Sequence, residues 1–97
     1  SSELTMPQEL ELDQELLELA DKRLQQLGEK YGVTDSERFV SQGNTKREIL
    51  RIAEEQQVDL IVIGSHGRAG IQLLLGSTAN AVLHGAPCDV LAVRIRE

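Results

Sequence analysis

Aromatic side chains are nearly absent from this 97-residue chain, which has no Trp, one Tyr (Tyr31) and one Phe (Phe39). Its core must therefore be aliphatic, built from Leu, Ile, Val and Ala. A chain of this length also buries only about 60–65% of its unfolded surface, so that core has little to spare. There is one cysteine, Cys88, which excludes an internal disulfide and every multi-cysteine zinc pattern. No basic or histidine residue flanks it, so it reads as a small core hydrophobe in a reducing compartment. Long apolar runs are missing too. The longest, Leu60–Ile63 and Val90–Val93, have four residues, too few for a membrane span. Basic residues are scarce, with ten against sixteen acids and a net charge of −6. This disfavours nucleic-acid partners, whose phosphates must be neutralised, and anionic membranes. With no signal-peptide pattern, the expected location is cytoplasmic.

The charge that is present lies unevenly. Residues 1–57 carry thirteen acids and seven bases, whereas residues 58–97 carry three of each. The first half reads as solvated helix surface and the second as buried sheet and loops. Residues 7–31 form one predicted helix. Pro7 suits a first helical position, and seven acids precede the first base, Lys22, as the helix dipole favours. Leu17, Ala20, Leu24, Leu27 and Tyr31 make an apolar face, widened by Leu12, Leu16 and Leu19. A coiled coil is the competing reading, through the heptad Leu10, Leu17, Leu24 and Tyr31, but Asp13 falls on its other core position. Gly28 or Gly32 ends the helix.

Beyond it, Ser36–Ser41 reads as a short strand and Gly43-Asn44 as a turn. Thr45 opens a capping box with Glu48, starting a helix that ends near Gln57. Residues 59–64 read as a strand whose unbroken Leu-Ile-Val-Ile predicts cover on both faces. Ser77 or Thr78 caps a third helix ending at Gly85, and Val90–Ile95 is the last strand. Alternating helices and strands predict an α/β fold with a parallel sheet and right-handed crossovers. Ligands of such sheets bind beyond the carboxyl ends of the strands.

At that end of the 59–64 strand lies Gly64-Ser65-His66-Gly67-Arg68-Ala69-Gly70, with Gly76 before Ser77 and Thr78. Glycines let backbone approach a ligand closely. A helix N-terminus offers free N–H groups to an anion, and Arg68 adds charge. The residues equally suit a plain turn. They match neither the P-loop, which needs a lysine, nor the dinucleotide fingerprint, whose helix starts sooner. His66 reads as an exposed loop residue and His84 as a complement to a helix C-terminus. Neither a metal site nor a nucleophile–base pair is recognisable, so enzymatic activity is not expected.

Three stretches carry a resemblance: Asp59-Leu-Ile-Val-Ile-Gly-Ser-His-Gly-Arg, Leu75-Gly-Ser-Thr-Ala-Asn-Ala-Val-Leu and Ala86-Pro-Cys-Asp-Val-Leu-Ala-Val. Together they closely resemble the C-terminal part of the universal stress protein family, in particular its bacterial stress protein A branch. The resemblance implies a three-layer α/β/α, adenine nucleotide alpha hydrolase-like fold. It also implies a regulatory stress-response role, with ATP or AMP, accompanied by magnesium, held by Gly64, Gly67, Gly76, Ser77 and Thr78, beside which the charge of Arg68 makes it a further candidate contact. Eight residues rather than the family's nine separate Gly67 from Gly76. That spacing resembles the stress protein A branch, typically regarded as not binding ATP, yet all three glycines are kept. The alternative is a dimerisation module that takes no nucleotide and no cofactor.

The resemblance further implies a homodimer or larger oligomer, with the last strand and its Val93 and Ile95 as the dimer edge. Val93-Arg94-Ile95-Arg96 alternates as a strand with one protected face should. The family's first strand, first helix and second strand have no counterpart here. The expectation is a single domain, truncated at its N-terminus, whose missing strands another segment or chain supplies. Unpaired edges and bare aliphatic faces would favour association.

Overall fold

The structure is a computed structural model that describes residues 7–66 and 76–95. It divides into two compact units, residues 1–42 and 43–97. The first contains α1, Pro7–Tyr31, and a 3-10 turn at Asp35–Glu37. The second contains α2 (Thr45–Glu55), β1 (Leu60–His66), α3 (Ser77–Gly85) and β2 (Asp89–Ile95). No described helix is long and apolar enough to cross a membrane.

Helix α1 starts at Pro7 and runs to Tyr31, as its sequence pattern predicts. It stops at Gly32, where φ is +73°. The Val33 N–H there reaches back to the Gly28 carbonyl at 2.8 Å, closing the last turn as a left-handed residue after a helix permits. Gly28 has a different use. A Cβ there would stand 2.7 Å from Arg38 Nη1, and Arg38 lies close to the helix end, donating to the Val33 carbonyl at 2.7 Å. It also pairs with Asp35.

The strand expected at Ser36–Ser41 is not formed. Asp35–Glu37 turns instead, and Glu37 accepts from the Thr34 hydroxyl at 2.6 Å and the Thr34 N–H at 2.9 Å. Those bonds hold the Glu37 carboxyl below its ordinary range, the hydroxyl contributing most. Local bonds of this kind satisfy the backbone without a distant partner, whereas a strand needs one. Residues 38–42 follow without regular structure.

In the second unit the cap of α2 is Asn44 rather than Thr45. The Asn44 side chain accepts from the Arg47 N–H at 3.0 Å. Glu48, the expected reciprocal partner, holds Arg51, which also bonds Glu55. Together these carboxylates push the Arg51 guanidinium pKa further up. Asn44→Ala should cost about 1 kcal/mol in urea unfolding, whereas Thr45→Ala should cost a few tenths. At its other end α2 closes through Gln57, with φ +52°, and a bond from Val58 N–H to the Ala53 carbonyl at 3.1 Å. A side chain in this region carries about 1 kcal/mol of strain that glycine avoids. Gln57→Gly should therefore raise the unfolding midpoint, and an unchanged or lowered midpoint would show that the position is relaxed.

β1 and β2 pair in parallel, with Leu60 opposite Asp89 and His66 opposite Ile95. The connection through α3 is the βαβ crossover expected of the alternating pattern. Alternation along each strand then divides the side chains. Ile61, Ile63 and Val90 pack with Ile49, Leu50 and Ala53 of α2 and Val82 of α3. Val82 is wholly buried and Ala53 nearly so. Cys88 joins the margin of this cluster, half-buried, as a small hydrophobe would. The helices approach closely at Gly85, where a Cβ would lie 3.0 Å from Leu50 Cδ1.

The opposite face carries Leu60, Val62, Leu91, Val93 and Ile95, all between 44% and 61% exposed. Cover on both faces, expected from the Leu-Ile-Val-Ile run, is thus found on one face of this unit. Val93 and Ile95 lie on this face, away from the packed helices of the unit. In both strands the helices of the unit take the side bearing Ile61 and Val90, which leaves the alternate residues outward.

Candidate functional site

The candidate site forms where β1 ends and α3 begins. The side chains of Ile61, Ile63 and Ser65 share the packed face of β1 by strand alternation. This places the Ser65 hydroxyl under the start of α3. It is buried, 6% exposed, and accepts a hydrogen bond from the Gly76 N–H at 2.9 Å. The bond ties the carboxyl end of the strand to the helix N-terminus, eleven residues further along the chain. Sequence reasoning assigned Ser65 no role. Its position two residues beyond Ile63, in phase with the buried apolar residues, was the available signal.

Gly76 is the N-cap residue of α3, with an extended φ of −61° and ψ of 153°, and no side chain caps the helix. The first intrahelical bond runs from Asn80 N–H to the Gly76 carbonyl at 2.9 Å. The N–H groups of Ser77, Thr78 and Ala79 therefore have no acceptor within the helix. No acidic residue occupies this first turn, so the positive end of the helix dipole is not countered from within its own turn. Ser77 is exposed and Thr78 half-buried. Such an end can bind a phosphate or another anion through backbone N–H groups and the two hydroxyls.

Gly64 takes a different part from that of an open cradle. It lies on β1 opposite Val93, and a Cβ at Gly64 would meet Ile95 Cδ1 at 2.4 Å. The absent side chain leaves room for Ile95 to lean across the strand on the open face. The structure thus brings Ser65, Gly76, Ser77 and Thr78 together, with Gly64 one residue earlier on the opposite face. Gly67 and Arg68, the other expected phosphate contacts, lie outside the described residues, and so does the side chain of His66. His84 is exposed in the last turn of α3, where an imidazolium would complement the dipole. Among the described residues, no group of His, Cys, Asp and Glu could hold a metal ion.

The Ser65 bond makes a prediction of its own. Ser65→Ala should leave the half-buried Gly76 N–H without its acceptor and cost about 1 kcal/mol. Faster amide exchange at Gly76 would localise the effect. Unchanged stability and exchange would mean that water or another acceptor replaces the hydroxyl.

Comparison with known proteins places this geometry in context. The model of the universal stress protein family matches residues 1–94. The chain is 52% identical over 87 residues to universal stress protein A homolog 2 of Coxiella burnetii, covering 90% of this chain and 60% of that protein. Universal stress protein A homolog 1 of the same organism is 40% identical over 95 residues, covering 98% of this chain and 66% of that protein. The chain therefore spans about three-fifths to two-thirds of the length of these curated relatives. Among solved structures it is similar to hypothetical protein MJ0577, with a TM-score of 0.69 and 29% identity, over 92% of this chain and 64% of that one. The similarity supports the expected α/β fold with its parallel sheet.

Proposed function

This chain belongs to the universal stress protein family, and from that premise we propose a regulatory stress-response protein that takes the phosphates of ATP or AMP at the N-terminus of α3. In this reading Gly76, Ser77 and Thr78 contact the phosphates, Gly67 and Arg68 complete the cradle, and magnesium accompanies the nucleotide. Occupancy shifts an assembly equilibrium between copies of the chain, so the output is association rather than catalysis. The observation that carries the reading is the α3 N-terminus, uncapped by any side chain, free of acid in its first turn and tied by Ser65 to the carboxyl end of β1.

A second reading rests on Ile95. Its side chain fills the space above Gly64, so this glycine already has a packing role and does not require a ligand. On that reading the chain is a dimerisation module without nucleotide.

One measurement separates the two. With no Trp and one Tyr, the protein absorbs weakly near 280 nm, so bound adenine dominates the spectrum at 260 nm. Nucleotide at a hundredfold excess over its Kd stabilises the folded state by about 2.7 kcal/mol, a rise of roughly 10–20 °C in Tm for a chain of this size. A protein-like spectrum and an unmoved Tm with Mg·ATP would favour the dimerisation module.

A further inference from the structure

We propose that the Ser65 hydroxyl, besides accepting from Gly76, donates its own proton to a phosphate oxygen at the N-terminus of α3, with Arg94 beside it as the countercharge. This contact rests on the reading above that a phosphate binds at that end of α3, and it adds two side chains that hold it. Every residue involved lies in the second unit, 43–97.

A hydroxyl is a donor as well as an acceptor. The Ser65 hydroxyl is buried, 6% exposed. Its one hydrogen bond among the described residues uses the oxygen, which accepts from the Gly76 N–H. The proton therefore has no acceptor among those residues, and a donor unmet away from water is costly. The backbone groups gathered at this end are donors as well. The N–H groups of Ser77, Thr78 and Ala79 are left over, because the first intrahelical bond joins Asn80 to Gly76. An acceptor with several lone pairs and a negative charge satisfies this set, and a phosphate has both.

Register adds the charge. Arg94 lies opposite Ser65 in the parallel ladder, about 4.8 Å away from strand to strand. By alternation it shares the packed face with Val90 and Ala92, which are half-buried, while Arg94 itself is exposed at the carboxyl end. Its guanidinium is always protonated and matches a phosphate with paired N–H groups. No acid of either strand stands close by. β1 contains none, and Asp89, at the other end of β2, is about 17 Å back along the strand. The first turn of α3 has none either. Donors and a cation thus collect at one end of the sheet, and the acid of β2 sits at the other.

The test is calorimetric titration of the full chain with AMP, joined to proton–phosphorus NMR of the complex. Ser65→Ala should weaken binding by about tenfold or more, as the loss of a hydrogen bond to a charged group does. Ser65→Thr keeps the hydroxyl and should stay within about threefold of the unsubstituted chain. In the complex the Ser65 hydroxyl proton should correlate with the phosphorus. A loss of affinity in Ser65→Ala without that correlation would reduce Ser65 to positioning the helix end and overturn the contact. Arg94→Gln, at an exposed position, keeps the test decisive should the buried substitutions fail to fold. It should weaken AMP about tenfold and flatten the fall of affinity with salt. Unchanged affinity and salt dependence would overturn the countercharge. If the unsubstituted chain binds neither AMP nor Mg·ATP, the reading above and this contact fall together. Binding that survives both Ser65→Ala and Arg94→Gln would leave that reading standing and overturn this contact alone.

Discussion

Ser77→Glu is expected to weaken adenine-nucleotide binding by at least tenfold while slightly stabilising the folded protein. The two effects have opposite signs because one charge acts on two partners. Ser77 is the first residue of α3, exposed, in a turn that has no acid. A carboxylate there interacts favourably with the helix dipole, by about 0.3–1 kcal/mol. The same carboxylate stands where a phosphate would bind. Two unit charges 4 Å apart near a protein surface repel by about 4 kcal/mol before salt screening, and the lost hydroxyl adds to this. Ser77→Gln separates the contributions, since it removes the hydroxyl without adding charge and should cost much less. Calorimetric titration with Mg·ATP gives the affinities and urea unfolding gives the stabilities. Unchanged affinity in the glutamate variant, with the helix stabilised, would remove the phosphate from this end of α3.

Val82→Asp should abolish cooperative unfolding of the second unit. Val82 is fully buried between α2 and the sheet, in a cluster with Ala53 and Ile61. No cation belongs to that cluster, so a carboxylate there must be buried unpaired or drawn out to water with the helix. Either costs more than about 4 kcal/mol, most of the 5–15 kcal/mol that holds a typical domain together. The milder Val82→Ala should cost about 2 kcal/mol through lost contact and a residual cavity, and should keep the transition sharp. Circular dichroism with urea checks both. A cooperative transition in the aspartate variant would mean that the helix layer can shift enough to hydrate the site.

These predictions draw on parts of the molecule that were unequally legible in the sequence. Helix α1 was readable because each of its determinants is local: Pro7 at the start, acids in the first turns, leucines at helical spacing and a glycine at the stop. The βαβ unit was readable for a similar reason, since the apolar strands and the glycine at the end of α3 stand out against their surroundings. The Ser36–Ser41 segment misled because Phe39 and Val40 suit a strand, while Thr34, Asp35 and Glu37 form a local turn. The α2 cap was displaced by one residue because Asn44 and Thr45 are both good capping residues, and only geometry shows which oxygen reaches Arg47. At the candidate site the motif glycines and hydroxyls were legible as a pattern. The roles of Ser65 and Ile95 were not, because both depend on contacts between residues far apart in sequence.

The parallel ladder sets the order in which the molecule can form. Every rung joins residues 29 positions apart, from Leu60 with Asp89 to His66 with Ile95. Among the described residues no short hairpin precedes the first rung, so residues 67–75 and α3 must be spanned before a hydrogen bond between β1 and β2 is gained. That closure carries an entropic cost which a local contact does not. Helix α1 relaxes on the scale of about a microsecond, but the sheet must await a collapse that brings its distant strands together. During refolding, helical signal should therefore rise ahead of protection at the β1 and β2 amides. Within this stretch, the acidic helix can form while β1 and β2 are still unpaired.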